Sequence, residues 1–172
     1  MIVYSIQTDS IILKSDQRIM TNEIDSSLIR HIVVPFDGSG YSIRALQYAV
    51  MLAKKFNSKI TLLAIQQSTI LGSSFLDMED HQTILEKKKL EKLQEKFRIL
   101  ENSGKKSNIL IESMVLFSFY VAQAILSFST SKKADLIVMG TRGKGSSPSY
   151  MRLGSVAIDV SQVSPRPVIL IK

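Results

Sequence analysis

The stretch that decides the fold is residues 30–65, RHIVVPFDGSGYSIRALQYAVMLAKKFNSKITLLAI. Its β-branched start, Arg30 to Phe36, is typical of a buried strand, and the glycines of Asp37-Gly-Ser-Gly40 predict a tight turn. From Tyr41 to Phe56, apolar residues recur every three or four positions, which predicts an amphipathic helix. Lys59 to Ile65 predicts a second buried strand. Because a crossover helix joins the two strands, they should lie parallel in a right-handed βαβ unit.

The rest of the chain continues this alternation of apolar strands and amphipathic helices. The predicted segments are a helix over 81–101 that ends at Asn102-Ser-Gly104, a strand over 108–116, a helix over 121–128, a strand over 135–139, a helix over 154–163 and a strand over 168–172. The alternation predicts an α/β fold, a single doubly wound parallel sheet of five strands in the order 3-2-1-4-5, Rossmann-like, with helices on both faces.

Length and composition place the chain among ordinary globular proteins. Its 172 residues suit one domain, which we assign to residues 29–172, and 45% of them are hydrophobic, so the chain can bury a core. Residues 1–28 lie outside the alternation as an N-terminal extension, either a flexible arm or an added edge strand. No apolar run resembles a signal peptide or a membrane span. Together with the absence of cysteine, this predicts a cytoplasmic protein without a membrane partner.

The formal net charge of +7 is compatible with two classes of partner, nucleic acid and an anionic small molecule. Eight bases and four acids lie between His81 and Lys106, where the bases alternate with glutamates at helical spacing. This pattern is typical of a solvated helix face, so we do not expect a nucleic-acid partner. The positive charges of functional interest are then Arg142 and Lys144, which lie beside glycines.

Two loops that follow predicted strands have the composition of an anion site. They are Asp37-Gly-Ser-Gly40 and Gly140-Thr-Arg-Gly-Lys-Gly145, and Gly154-Ser155 opens the helix after the second loop. Glycines let a backbone approach a phosphate closely, and a helix N-terminus offers unpaired N–H groups. The alternative is that glycine and serine only make flexible turns. Because Lys144 is followed by Gly145 rather than Ser or Thr, the second loop is not the P-loop of nucleotide triphosphatases.

Five motifs combine characteristic residues with positions at strand and helix ends. They are Val34-Pro-Phe-Asp-Gly-Ser39, Ala45-Leu-Gln-Tyr-Ala49, Leu62-Leu-Ala-Ile65, Asp135-Leu-Ile-Val-Met-Gly-Thr-Arg-Gly143 and Leu153-Gly-Ser-Val156. Together they resemble the universal stress protein family, over a stretch from about Ile29 to Lys172. The nucleotide-binding branch of that family carries Gly, two residues, Gly, nine residues, and Gly followed by Ser or Thr. Gly140, Gly143 and Gly154-Ser155 match this pattern, with ten residues in place of nine before Gly154.

The resemblance implies a site for an adenine nucleotide, ATP or AMP, with Mg²⁺ as a companion ion. It assigns Asp37 to the ribose hydroxyls or the base amine, the apolar residues Pro35, Ile65 and Met139 to the adenine slot, and Gly140, Arg142, Gly143, Gly154, Ser155 and Val156 to the ribose and phosphates. For Asp37, the alternative is a turn residue that caps the following helix.

The resemblance also implies a stress-response or signalling protein that acts through ligand-dependent changes of partner or oligomeric state. It implies a homodimer, in which an edge such as the last strand pairs across a two-fold axis. The alternative is a nucleotide-free protein-interaction module of the same fold. We do not expect an enzyme beyond slow ATP hydrolysis, because His31 and His81 lie away from both loops and no nucleophile–base pair is apparent. A metal site is left open, since Asp77, Glu79 and Asp80 could bind an ion or only complement a helix N-terminus.

Overall fold

The computed structural model describes residues 29–67, 81–145 and 153–172, with the side chains of the second helix described from Lys87 onward. Five parallel strands form one sheet and are, in chain order, β1 (His31–Pro35), β2 (Lys59–Gln66), β3 (Ile111–Phe117), β4 (Leu136–Gly140) and β5 (Val168–Ile171). The helices in these ranges are α1 (Gly40–Phe56), α2 (His81–Lys106), α3 (Val121–Ser131) and α4 (Ser155–Val163). The strand order β3-β2-β1-β4-β5 confirms the predicted doubly wound fold.

The central strand β1 separates two apolar layers. Ile32 and Val34 point to one face and pack with α1 and α2, whereas Val33 points to the other face and packs with α3 and α4. All three side chains are fully buried. Burial on both faces is typical of parallel sheets and explains why successive positions of β1 are apolar. Beyond the end of β1, the ring of Phe36 extends the first layer to Phe97 of α2, with the ring centroids 5.8 Å apart.

Helix α1 ends at Phe56 as predicted and begins at Gly40, one residue before the predicted start. Ser39 is the N-cap, and its hydroxyl accepts a hydrogen bond from the Ser42 N–H at 3.2 Å. Asn57 takes a left-handed conformation with φ of 54°, and its N–H donates to the carbonyl of Ala53. The N-cap therefore fixes the Asp37-Gly38 turn between the carboxyl end of β1 and the first turn of α1.

The expected end of α2 at Asn102-Ser-Gly104 is wrong, since the helix continues to Lys106. Gly104 is buried, and a Cβ on it would lie only 2.7 Å from Cγ1 of Ile111. The glycine therefore allows β3 to pack closely against the helix and does not end it. The chain turns instead at Asn108, with φ of 54°, and the Ile109 N–H donates to the Gly104 carbonyl at 2.9 Å.

The topological switch point of the sheet lies between β1 and β4. From β1 the chain runs to β2 and then β3 on one side, and β4 and β5 lie on the other. The carboxyl ends of strands at such a point form the crevice in which doubly wound folds bind ligands. The N-terminal extension, residues 1–28, lies outside the described residues. Among the helices of the described ranges, none combines the length and the apolar character needed to cross a membrane.

Candidate functional site at the switch point

Asp37 connects the two glycine-containing loops at the switch point. Its Oδ1 accepts a hydrogen bond from the Ser39 N–H at 2.9 Å, which closes the turn after β1. Its Oδ2 accepts a hydrogen bond from the Lys144 N–H at 2.8 Å, which reaches it from the loop after β4. The capping of α1 belongs to Ser39, whereas Asp37 makes the turn before it. The two loops singled out in the sequence therefore meet at one carboxylate.

The environment of Asp37 keeps its carboxylate charged. Desolvation on its own would raise the pKa of Asp37, but the hydrogen bonds from Ser39, Lys144 and Ser42 outweigh it and lower the pKa below its ordinary value. An ionised carboxylate offers about four acceptor positions, and the two backbone N–H groups do not exhaust them. Asp37 can therefore accept a further hydrogen bond from a hydroxyl or amine of a ligand.

Two glycines of the second loop are required by close packing around Asp37 and α1. A Cβ on Gly143 would lie 2.7 Å from Oδ2 of Asp37, so a side chain there would displace the carboxylate. A Cβ on Gly140 would lie 2.7 Å from the Cβ and 2.9 Å from the carbonyl carbon of Tyr41. These glycines therefore let the loop after β4 pass directly over the start of α1.

The two parts of the predicted phosphate motif meet at Gly154. Its N–H donates to the carbonyl of Thr141 at 2.8 Å, which places the start of α4 beside the loop after β4. Gly154 is also the N-cap of α4 and provides no side chain to occupy the first N–H groups of that helix. Ser155 is exposed and Val156 is half-buried in the first turn. The structure thus brings Gly140, Gly143 and Gly154-Ser155 together.

The predicted apolar residues share one face of the sheet. Ile65 and Met139 belong to the layer that contains Val33, and Pro35 points the same way because it follows Val33 by two positions in β1. Met139 is 4% exposed, whereas Pro35 and Ile65 are half-buried at the carboxyl ends of their strands. Val156 of α4 packs against the same layer. Apolar side chains therefore line one face of the sheet near the strand ends that lead to Asp37 and to the loop after β4.

Basic side chains reach the crevice from two elements. Arg142, half-buried, and Lys144, exposed, lie in the loop after β4. The Nζ atoms of Lys144 and of Lys96, on α2, lie 3.4 Å and 3.8 Å from the position that a Cβ on Gly38 would take. The sequence interpretation placed Lys96 on a solvated helix face and missed this convergence. The one feature of the sequence that points to this position of Lys96 is its place next to Phe97, which belongs to the buried apolar face of α2.

Of the other candidate residues, the structure describes His31, which lies away from the crevice. His31 is buried at the opposite end of β1, with Nε2 2.8 Å from Oγ1 of Thr61 and Nδ1 3.2 Å from the carbonyl of Lys132. These contacts hold the imidazole in place at the end of β1 that lies away from both loops. The acids Asp77, Glu79 and Asp80 lie outside the described residues. Within the described ranges, no group of three or more histidine, aspartate or glutamate side chains is arranged to hold a metal ion.

The fold and the crevice define a class, namely a doubly wound α/β protein with two glycine loops and an acidic residue at its switch point. A model of the universal stress protein family matches residues 28–172. The chain belongs to the universal stress protein family. It is 31% identical over 147 residues to Universal stress protein MJ0531 of Methanocaldococcus jannaschii, which covers 85% of this chain and 84% of that protein. It is 30% identical over 152 residues to Universal stress protein YxiE of Bacillus subtilis, which covers 84% of this chain and 100% of that protein.

Solved structures share the fold. The hypothetical protein MJ0577 matches with a TM-score of 0.70 at 20% identity, over 84% of this chain and 96% of that protein. A universal stress protein solved in complex with cAMP matches with a TM-score of 0.59 at 22% identity, over 83% and 96% of the two chains. The universal stress protein from Archaeoglobus fulgidus solved in complex with dAMP matches with a TM-score of 0.55 at 21% identity, over 84% and 98%.

Proposed function

We propose that the crevice between β1 and β4 binds an adenine nucleotide, ATP or AMP. The observation that carries the proposal is the hydrogen bond from the Lys144 N–H to Asp37, which draws both glycine loops around one carboxylate at the switch point. The apolar surface beside that carboxylate has the character that an adenine ring requires. The related proteins solved with cAMP and with dAMP support an adenine nucleotide as the ligand.

In this proposal, Asp37 and the apolar surface hold the nucleoside. The adenine ring packs against Pro35, Ile65 and Met139, which share one face of the sheet. A ribose hydroxyl or the base amine donates a hydrogen bond to the carboxylate of Asp37, whose lowered pKa keeps it an acceptor at neutral pH.

The backbone of the second loop and the start of α4 hold the ribose and the phosphates. Gly140 and Gly143 place no side chain between the ligand and the backbone, and Gly154 leaves the first N–H groups of α4 open. Ser155 and Val156 lie in that first turn, where the helix dipole favours an anion. Arg142 adds positive charge, and Mg²⁺ would accompany the phosphate chain of ATP.

We propose a stress-response role in which the bound nucleotide changes a partner contact or the oligomeric state. The oligomer would be a homodimer that pairs through β5, because β5 is an edge strand of the sheet and carries the exposed Ile169. The absence of cysteine favours the cytoplasm as the place of action.

Gly154→Val tests the nucleotide site. Titration of nucleotide-stripped protein by isothermal calorimetry should give heat with ATP and AMP, and the variant should weaken both by more than about tenfold, because a valine would stand between the ligand and the N-terminus of α4. The variant should still fold, since a Cβ on Gly154 meets its nearest neighbours at 3.5 Å, an ordinary contact distance.

Gly145→Val is the matched control for this titration. It is the same substitution in the same loop, and a Cβ on Gly145 meets no atom within 4 Å, so binding should be unchanged. If neither nucleotide gives heat at millimolar concentration, the nucleotide proposal fails and the nucleotide-free interaction module replaces it. If both variants bind like the wild type, the nucleotide lies elsewhere on the protein.

A further inference from the structure

Two ammonium groups from different elements converge on the turn after β1. Nζ of Lys144, in the loop after β4, lies 3.4 Å from the position of a Cβ on Gly38, and Nζ of Lys96, in the fifth turn of α2, lies 3.8 Å from the same position. Both side chains are long, exposed and free to point into water instead. Like charges this close repel each other, so a negative group between them would stabilise both.

The protein itself supplies no carboxylate bonded to either ammonium within the described residues. Cations that have acidic partners there include Arg98, whose guanidinium lies 2.7 Å from Glu95, and Lys59, whose ammonium lies 3.8 Å from Glu112. Asp37 is the nearest acid along the chain to Gly38, but within the described residues its carboxylate forms an ion pair with neither ammonium. The Lys96–Lys144 pair therefore differs from the ordinary surface ion pairs of this protein.

Gly38 leaves the space between the two ammonium groups open. Its φ of 76° is a conformation that residues with a Cβ rarely adopt, so glycine is the suitable residue for the turn. A group at the place of its missing side chain would lie 3.4 Å from Nζ of Lys144 and 3.8 Å from Nζ of Lys96. A phosphoryl group has several acceptor oxygens and can bind two ammonium groups at once.

We propose that Lys96 and Lys144 form a phosphoryl-binding pair that makes the site selective for nucleotides with more than one phosphate. The inference rests on the proposed nucleotide site, since the first phosphate is taken to lie at the glycine loops and a later phosphate of the same chain to reach Gly38. A nucleoside monophosphate has no group for the pair. Lys96 and Lys144 are then specificity-determining residues that separate ATP from AMP.

The affinity ratio of ATP to AMP tests the proposal. Lys96→Ala and Lys144→Ala should each weaken ATP binding about tenfold, as for the loss of a hydrogen bond to a charged group, and leave AMP and adenosine binding within about twofold. Lys96→Arg should retain the preference for ATP. Lys87→Ala is the matched control, because Lys87 is exposed on the same helix but nine positions earlier, on the opposite side of the helix, and it should change neither affinity.

An equal loss of ATP and AMP affinity, or no loss of either, would overturn the selectivity while leaving the nucleotide site intact.

A titration with inorganic pyrophosphate alone distinguishes failure of the selectivity proposal from failure of the nucleotide proposal. If nucleotides do not bind but pyrophosphate does, and Lys96→Ala weakens it, the pair binds phosphoryl groups and the adenine assignment fails. If the wild type binds neither, both proposals fail. If pyrophosphate competes with ATP but not with AMP, the later phosphates of the nucleotide occupy the Lys96–Lys144 pair. If pyrophosphate competes with neither nucleotide, the pair binds a separate phosphate-bearing molecule instead.

Discussion

The Asp37 carboxylate illustrates how one side chain can preorganise the crevice that we propose as a nucleotide site. Because its oxygens hold the N–H groups of Ser39 and Lys144, both glycine loops are fixed relative to β1 before a ligand arrives. Ordering a backbone residue costs about 1–2 kcal/mol, so a loop that is already fixed opposes binding less. Gly143 can lie this close to Asp37 only because it has no side chain, since a Cβ on Gly143 would lie 2.7 Å from Oδ2 of Asp37. The placement of the two loops therefore depends on both Asp37 and Gly143.

His31 is a residue-scale source of pH dependence at the other end of β1. Burial lowers the pKa of His31 below 6.5, and the positive charge of Lys59 lowers it further. The hydrogen bond to the Lys132 carbonyl and the charges of Asp135 and Glu112 raise the pKa and offset part of this decrease. The unfolded chain therefore takes up a proton at pH values where the folded protein keeps His31 neutral. Stability from this group is complete above pH 6.5 and declines as the pH falls below it towards the folded pKa.

We expect the melting temperature of the wild type to fall more steeply from about pH 7.5 to about pH 5.5 than that of His31→Gln, which has no imidazole to protonate. Circular dichroism melts at constant ionic strength measure both slopes. The variant can be less stable at every pH, because glutamine does not reproduce the bonds to Thr61 and Lys132. The comparison is between slopes, and parallel slopes would show that His31 does not control the acid side of the stability curve.

At the scale of the elements, the close contact between α2 and β3 depends on Gly104. Gly104→Ala should destabilise the protein by about 1–3 kcal/mol, because the added Cβ would lie 2.7 Å from Cγ1 of Ile111 and 2.9 Å from the carbonyl of Ile109. Urea denaturation measures the change. Ser103→Ala is the control one residue earlier in the same helix, and since Ser103 is exposed it should alter stability by less than about 0.5 kcal/mol. A Gly104→Ala variant as stable as the wild type would contradict the packing argument.

Gly104 also marks the kind of feature that sequence patterns do not carry. The period of apolar residues predicted the helices, and the alternation of strands and helices predicted a parallel doubly wound sheet, because both depend on local spacing and on the handedness of crossovers. Glycine near a helix end has two physical uses, a stop and a close contact, and local sequence does not separate them. Which use applies depends on Ile111, in the next strand.

The same limit applies to the site. That Asp37 and Gly140 lie near each other follows from the switch point of the predicted sheet. The bond between Lys144 and Asp37, and the reach of Lys96 to Gly38, depend on how a loop and a helix face are placed across the whole sheet. The mixture of lysine and glutamate on α2 indicates only solvent exposure, so it does not show that Lys96 reaches the turn after β1.

At the scale of the whole molecule, the sheet formed by the described residues has two edge strands, β3 and β5, that differ in their surroundings. On β5, Ile169 is 37% exposed, and Val163 at the end of the neighbouring α4 is 68% exposed. Nε of Arg44 donates to the carbonyl of Lys172 at 2.8 Å and so fixes the chain just after β5. A fixed, apolar edge can add the same strand of a second copy across a two-fold axis, which is the dimer proposed above.

Ile169→Glu should convert this dimer into a monomer, because two glutamates would face one another across the two-fold axis and lose an apolar contact at the same time. Light scattering after gel filtration should give twice the chain mass of 19.2 kDa for the wild type and the single mass for the variant. Met114→Glu is the matched control, since Met114 is 39% exposed on β3 at the opposite edge, and it should remain dimeric. A wild type that is monomeric at micromolar concentration, or an Ile169→Glu variant that stays dimeric, would remove β5 as the interface. Dissociation of both variants would instead point to loss of folding, which far-ultraviolet circular dichroism detects.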